Sequence, residues 1–359
     1  MNLISGIYER KIFHKQTEHV FCQSRKSSFK QVELSQLCTA HFNHFREGEI
    51  MGSINPNEDV YLNALRVAKG GSRRKTRNGC TIAVLAHQMR FQLAKGFPLP
   101  TTKDTAFKTI YAENLWFLDA GRDTDHRLSL TKFNEYLGKP ADAKNIWTHD
   151  QARFASQGKA LFKGDCGRIY GAQWRNWRTA DGQTIDQLAK VIQQLKDDPF
   201  SRYHIVNSWN PGEVNDMCLP PCHMKFQFFV RPSRRRDKKM YLDISMDQRS
   251  CDMFLGVPYN IASYALIDHM VAQCVDMIPG ELVVTLEDCH IYTAGIGEGG
   301  KLLPHKGHMK QVNEQLARSP LKPPTLWLNP EVKDIDKFTM DDIKLVGYEH
   351  QGKIEAPML

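Results

Sequence analysis

Nowhere in these 359 residues do roughly 18 apolar residues run together, the length that a membrane-spanning helix needs. The first residues, MNLISGIYERKIFHK, also lack the apolar run of roughly 7 to 15 residues that marks a secretory signal. Nine cysteines are spread without the density or regular spacing of a disulfide scaffold, and a chain this long does not need one. A reducing, cytoplasmic setting is the expectation. The formal net charge is +8, yet the basic residues come in short clusters, SRRK at 72–75 and RPSRRRDKK at 231–239. A long basic tail of the kind that wraps nucleic acid is missing, and small anionic ligands suit such a surface as well as a polyanion does. There is no internal repeat and no regular βαβ alternation. The glycine-rich GIGEGG at 295–300 lacks the strand-loop-helix setting of a phosphate loop.

What is present reads as one α+β domain preceded by an appendage. Residues 1–56 are polar and irregular; within them Cys22, Cys38, His41 and His44 are four possible zinc ligands at a spacing unlike that of common fingers. From 57 to 359 the pattern is that of a folded domain. NPNEDVYLNALRVAKGG predicts a capped helix with Val60, Leu62, Leu65 and Val67 on its apolar positions, ended by Gly70 and Gly71. TIAVLAHQMRFQL predicts a pair of strands, AFKTIYAENLWFL a buried helix, and TIDQLAKVIQQLKDDP an amphipathic one. The short aromatic or β-branched runs YHIVNSWN, MKFQFFV and MYLDISM predict strands, and VPYNIASYALIDHMVAQCV a long apolar helix.

Two stretches concentrate groups that do chemistry. In LPPCHMKFQFFV, residues 219–230, Cys222 stands beside His223 at the start of a strand. Such a thiol is a core residue, a metal ligand or a nucleophile; the spacing of Cys218, Cys222 and His223 does not match paired zinc ligands. A nucleophile requires a thiolate, hence a nearby positive charge or base. The second stretch, DQRSCDMFLGVPYNIASYA at 247–265, crowds Gln248, Arg249, Ser250 and Asp252 before the apolar helix and places Asn260 in its first turns. Ser250 or Asp252 as a helix cap accounts for part of this. An arginine there also serves to bind a phosphate bidentately and to lower the pKa of a close thiol, which joins the two stretches into one site.

These stretches, with HQMRFQLAKGFPLPTTK, AENLWFL, RIYGAQWRNW, SRYHIVNSWNPGEV, EDCHIYTAG and KIEAPML in that order, resemble the thymidylate synthase family from about residue 60 to Leu359. The resemblance implies a single large α+β domain, a mixed β-sheet packed with helices, that dimerises through the sheet. It implies dUMP and the cofactor 5,10-methylenetetrahydrofolate as reactants, with no metal. By the family pattern Cys222 adds to carbon 6 of the uracil ring, and Arg249 meets both the thiol and the phosphate, which Gln248 and Ser250 help to frame. Asn260 reads the ring edge, favouring dUMP over dCMP because an amide donates and accepts at once. His290 and Tyr292 match the sugar-hydroxyl partners. Glu113 and His223 match a proton network at the ring carbonyl, and Tyr170 the group that helps to remove the carbon 5 proton through water.

On the folate side the resemblance names Ile146, Trp147, Asp252, Leu255, Gly256, Tyr259 and, in the closing tail, Met358. A partner chain is expected to lend Arg202 across a homodimer interface, with Tyr203 standing where the family has a second arginine. Arg77 is the expected local phosphate arginine, in a shortened loop. Other departures are Thr148 and Asp150 in IWTHD, Asp247 before Gln248, and Ala294 and Gly295 where the family has an asparagine-histidine pair. Water reaching the folate wall would turn the shared intermediate, an exocyclic methylene on carbon 5, into a hydroxymethyl group, as in the viral dUMP hydroxymethylases. Methylation, hydroxymethylation, and an idle relative that only binds nucleotide or RNA are the three functions open at this point.

Overall fold

A computed structural model describes residues 53–120, 126–233 and 238–359. The candidate zinc ligands Cys22, Cys38, His41 and His44 lie outside the described residues. Everything described belongs to one compact unit, Gly52–Leu359. Its helices are α1 (Pro56–Lys69), α2 (Phe107–Asp119), α3 (Leu130–Leu137), α4 (Thr148–Ser156), α5 (Gly171–Arg175), α6 (Gln187–Asp197), α7 (Gly256–Cys274) and α8 (Met309–Leu316). Its strands are β1 (Ser72–Lys75), β2 (Gly79–Gln92), β3 (Trp177–Arg178), β4 (Thr184–Ile185), β5 (Ile205–Asn207), β6 (His223–Arg231), β7 (Tyr241–Asp252), β8 (Ile278–Ile296), β9 (Leu302–Leu303), β10 (Thr325–Leu328) and β11 (Ile343–Val346). Among the described residues no helix is long and apolar enough to cross a membrane.

Seven strands form one mixed sheet in the order β1-β2-β8-β7-β6-β5, with β9 paired to β8; β3-β4 and β10-β11 are separate two-stranded sheets. The β7–β8 pair is parallel, and α7 makes the crossover such a pair needs. Alternation decides the faces. Phe226, Phe228 and Val230 of β6 point to the core, while Phe229 between them is 62% exposed on the opposite face. Helix α7 is apolar on nearly every side and is buried accordingly, against β7 and β8.

Local signals explain most boundaries. Asn55 caps α1 by accepting from the Glu58 N–H, with Pro56 as the first helical residue. The buried face of α1, however, is Tyr61, Leu62, Ala64, Leu65 and Ala68, with Val67 exposed. Small alanines let α1 approach β2, and the Tyr61 hydroxyl donates to the Met253 carbonyl at 2.8 Å. The expected strand pair at 81–93 is instead the single strand β2. Ala86 takes a left-handed backbone, φ 54°, yet pairing with β8 continues from Leu85 to His87 in one register, so the strand is not broken there.

Candidate active site

Three backbone elements converge on Cys222. It ends the Leu219–Pro221 stretch just before β6, its carbonyl accepts from the Arg249 N–H of β7 at 2.9 Å, and its own N–H donates to the Tyr170 hydroxyl at 2.7 Å. Tyr170 sits at the start of α5 with φ 25°, a strained backbone of the sort that concentrates at functional sites. Gly171 makes that turn possible: a Cβ there would lie 1.9 Å from the Phe117 carbonyl oxygen of α2. Phe117 stacks on Tyr170 at 4.9 Å between centroids, and Trp147 meets both rings edge-on.

The electrostatics follow from burial. Burial pushes the Cys222 thiol above its ordinary pKa, and the Arg249 guanidinium is the main group opposing that, with the Tyr170 hydroxyl second. Arg249 is itself fixed by donating to the carbonyls of Pro220 and Pro221, each at 2.8 Å, so the charge moves with the loop that carries the thiol. Glu113, buried in α2, is pushed up to about 7 by desolvation, against the pull of a 2.7 Å hydrogen bond from the Trp147 indole. It holds a proton near neutrality and keeps the indole in place. His223 is pushed down to about 4 by burial, which makes it a neutral ring, and Asn260 is its hydrogen-bond partner. Gln248 donates to the Asn260 carbonyl oxygen at 3.0 Å and thereby orients the amide.

Beside the Leu219–Pro220 stretch that leads to Cys222 lies a cleft of about 350 Å³, lined by Arg77, Arg249, Ser250, His290 and Tyr292, and further by Thr76, Asn78, Thr81, Leu219, Pro220 and Asp288. Five sequence candidates therefore share one wall, two of them arginines. Arg202 and Tyr203 do not line it; they lie exposed at the edge of the sheet. Asp288, the acidic residue of EDCHIY, also lines the cleft. It holds Arg74 by a salt bridge at the cleft mouth, a pairing between two strands that no local pattern announces.

Four of the folate candidates, Asp252, Leu255, Gly256 and Tyr259, lie where β7 turns into α7. The half-buried Asp252 carboxylate accepts from the N–H groups of Phe254 and Leu255 at 3.0 and 3.2 Å, and His308 helps to hold it below the usual carboxylate range against the desolvation that opposes this. Gly256 and Tyr259 follow on α7, with the Tyr259 hydroxyl accepting from the Ala106 N–H at 3.4 Å. Ile146 and Met358 are 43% and 65% exposed, apolar groups still open to be covered. Lys103, missed from sequence, is buried beside this turn, donates to the Phe254 carbonyl and is pushed down to about 7 by burial.

The polar departures from the family pattern have local partners, although the Asp150 charge still acts to raise the Cys222 pKa. The Thr148 hydroxyl accepts from the Asn145 N–H at 2.9 Å, and Asp150 pairs with Arg153 at 2.8 Å one turn along α4. Asp247 pairs with Lys225 at 2.6 Å across β6 and β7. Beyond Ala294 and Gly295 the chain loops out through β9, and His308 returns to Tyr292, its N–H donating to the Tyr292 carbonyl at 2.8 Å. No cluster able to hold a metal is found among the described residues. The sequence model of the thymidylate synthase family matches residues 59–359, well over half of the chain, over the same span in which these side chains come together. The chain belongs to the thymidylate synthase family and is, in that sense, a transferase built for folate-dependent chemistry on dUMP.

Proposed function

We propose that the protein is a thymidylate synthase proper, converting dUMP and 5,10-methylenetetrahydrofolate to dTMP and dihydrofolate in the cytoplasm. The observation that carries this reading is the position of Cys222 between the Tyr170 hydroxyl and the Arg249 charge, directly after the Leu219 and Pro220 that line an arginine-bearing cleft. The folate supplies the one-carbon unit and, in this outcome, the hydride. The chain does the rest. The Cys222 thiolate adds to carbon 6 of the ring, making carbon 5 nucleophilic. Arg77, Arg249 and Ser250 meet the phosphate, and His290 and Tyr292 meet the sugar hydroxyl. Asn260, held by Gln248, reads the ring edge, and the proton on Glu113 serves the ring carbonyl through the network that includes His223.

Methylation is favoured over hydroxymethylation because the polar departures are occupied locally. Thr148 closes the turn before α4, Asp150 pairs with Arg153, and Asp247 pairs with Lys225, while the Trp147 indole stays against Tyr170 and is fixed by Glu113. A wall of that kind excludes water. The open sheet face, with Phe229 and the 77% exposed Tyr203, supports a homodimer in which Arg202 completes the partner's phosphate site. Incubation with dUMP and methylenetetrahydrofolate tests the reading. Dihydrofolate absorbance with dTMP is the expected result; a hydroxymethyl nucleotide without that signal transfers the assignment to the hydroxymethylases, and nucleotide binding with no product leaves an idle relative. Cys222→Ser abolishes turnover and leaves dUMP binding within a few-fold.

A further inference from the structure

The last residues of the sequence are held down by an unusual set of contacts. Ile354 is buried, the Gln311 side chain donates to the Glu355 carbonyl at 3.2 Å, and the His308 ring contacts the Pro357 carbonyl through Nε2 at 2.8 Å. Leu359 lies over Gly295, where a Cβ would sit 2.6 Å from the leucine Cδ2. All three holding residues, Gly295, His308 and Gln311, come from the looped-out segment 295–307 or the start of α8 just after it. The second ring nitrogen of His308, Nδ1, faces the Asp252 carboxylate at 3.7 Å and has no hydrogen-bond partner of its own.

The ring is fully buried, so its protonation has consequences. A carbonyl accepts only, so the contact to Pro357 needs a proton on Nε2. A neutral imidazole with that proton turns its lone pair toward the Asp252 carboxylate, and with the proton on Nδ1 it loses Pro357. Only the imidazolium serves both. The groups around it are Asp252, the Lys103 ammonium, which opposes the charge, and the rings of Tyr292 and Phe254 at 5.6 and 5.7 Å; His290 acts on the same carboxylate. Asp252 outweighs burial and Lys103, and the ring is held above its ordinary pKa.

We propose that His308 is a positioning residue, a doubly protonated ring that fastens the 354–359 segment to the folate-facing carboxylate of Asp252 and so governs how completely water is shut out. Its part in product choice rests on the synthase reading above; its part in holding the segment does not. Loss of the proton releases the segment, and the carbon 5 methylene then meets water more often, raising the share of hydroxymethyl product.

Two readouts on the full chain test this. Amide hydrogen-exchange protection of 354–359, corrected for intrinsic exchange, is expected to fall about tenfold in the wild type as the ring deprotonates, the scale of one charge-assisted hydrogen bond. In His308→Gln it is low and insensitive to pH. Asp252→Asn, which removes the partner charge, moves the wild-type transition to lower pH and stands in should His308→Gln not fold. With dUMP and methylenetetrahydrofolate, the ratio of hydroxymethyl-dUMP to dTMP rises about tenfold in His308→Gln, a change that a merely structural loss of rate does not produce. Equal, pH-independent protection in wild type and variants overturns the latch. Changed protection with an unchanged product ratio overturns its role in excluding water. A wild type that makes neither product overturns the synthase reading alone, with the exchange data still deciding the latch.

Discussion

Replacing Glu113 by glutamine probes the proton-holding group of the site and the stability of the fold in one experiment. The Glu113 carboxyl is raised from 4.5 to about 7 by burial, and the Trp147 hydrogen bond offsets part of that. Between these two values the folded state binds a proton that the unfolded chain has released, so its contribution to stability is complete below the lower value and is lost as pH rises through about 7. At 1.36 kcal/mol per unit the loss amounts to roughly 3 kcal/mol as an upper bound. Glu113→Gln keeps an oxygen for the indole but has no proton to lose. Urea melts from pH 4.5 to 8.5 are therefore expected to show the variant gaining on the wild type by up to that amount as pH rises, while turnover drops by a factor on the order of 100 or more because an amide cannot pass a proton. A stability difference that is flat across this range would refute the reasoning, since Glu113 would then not titrate there in the folded protein.

Arg249→Gln removes the main group that opposes the burial of Cys222. The pH profile of Cys222 alkylation by iodoacetamide is expected to move upward, and an unmoved profile means that the thiolate is stabilised by something else. Asn260→Asp breaks the amide pairing oriented by Gln248 and is expected to swing the dUMP to dCMP preference by roughly 100-fold, read as the ratio of kcat/KM values. Asp268 in α7 is buried with no hydrogen bond of good geometry. Desolvation holds its pKa well above the usual range, with the Gly280 N–H offsetting only part of the cost. Its raised pKa means that stability is lost as pH climbs above the ordinary carboxylate value, so Asp268→Asn gains on the wild type with rising pH; equal slopes in thermal melts at pH 4 and pH 8 would count against this.

Much of the site was legible because its residues sit in short contiguous strings. LPPCH and QRSCD carry the candidates Cys222, His223 and Arg249 in two strings of five residues, and capping signals such as Asn55 and Pro56 act on their immediate neighbours. Long apolar runs like that of α7 announce a buried helix whatever surrounds them. Less legible was anything set by what an element packs against. The face of α1 follows β2 and Met253 rather than its own most apolar positions, and the continuity of β2 is set by its pairing with β8.

Membership of the thymidylate synthase family was determined by the order of residues alone, because contiguous motifs such as LPPCH and QRSCD keep their spacing however the chain folds. Tertiary structure alone decided where the departures point. Thr148, Asp150 and Asp247 found local partners, Arg74 found Asp288, and a detour of residues 295–307 brought His308 between Asp252 and Pro357. The reason is that a pairing between charges or rings depends on distance in space, and for residues dozens or hundreds of positions apart that distance is set only when the sheet and its helices pack.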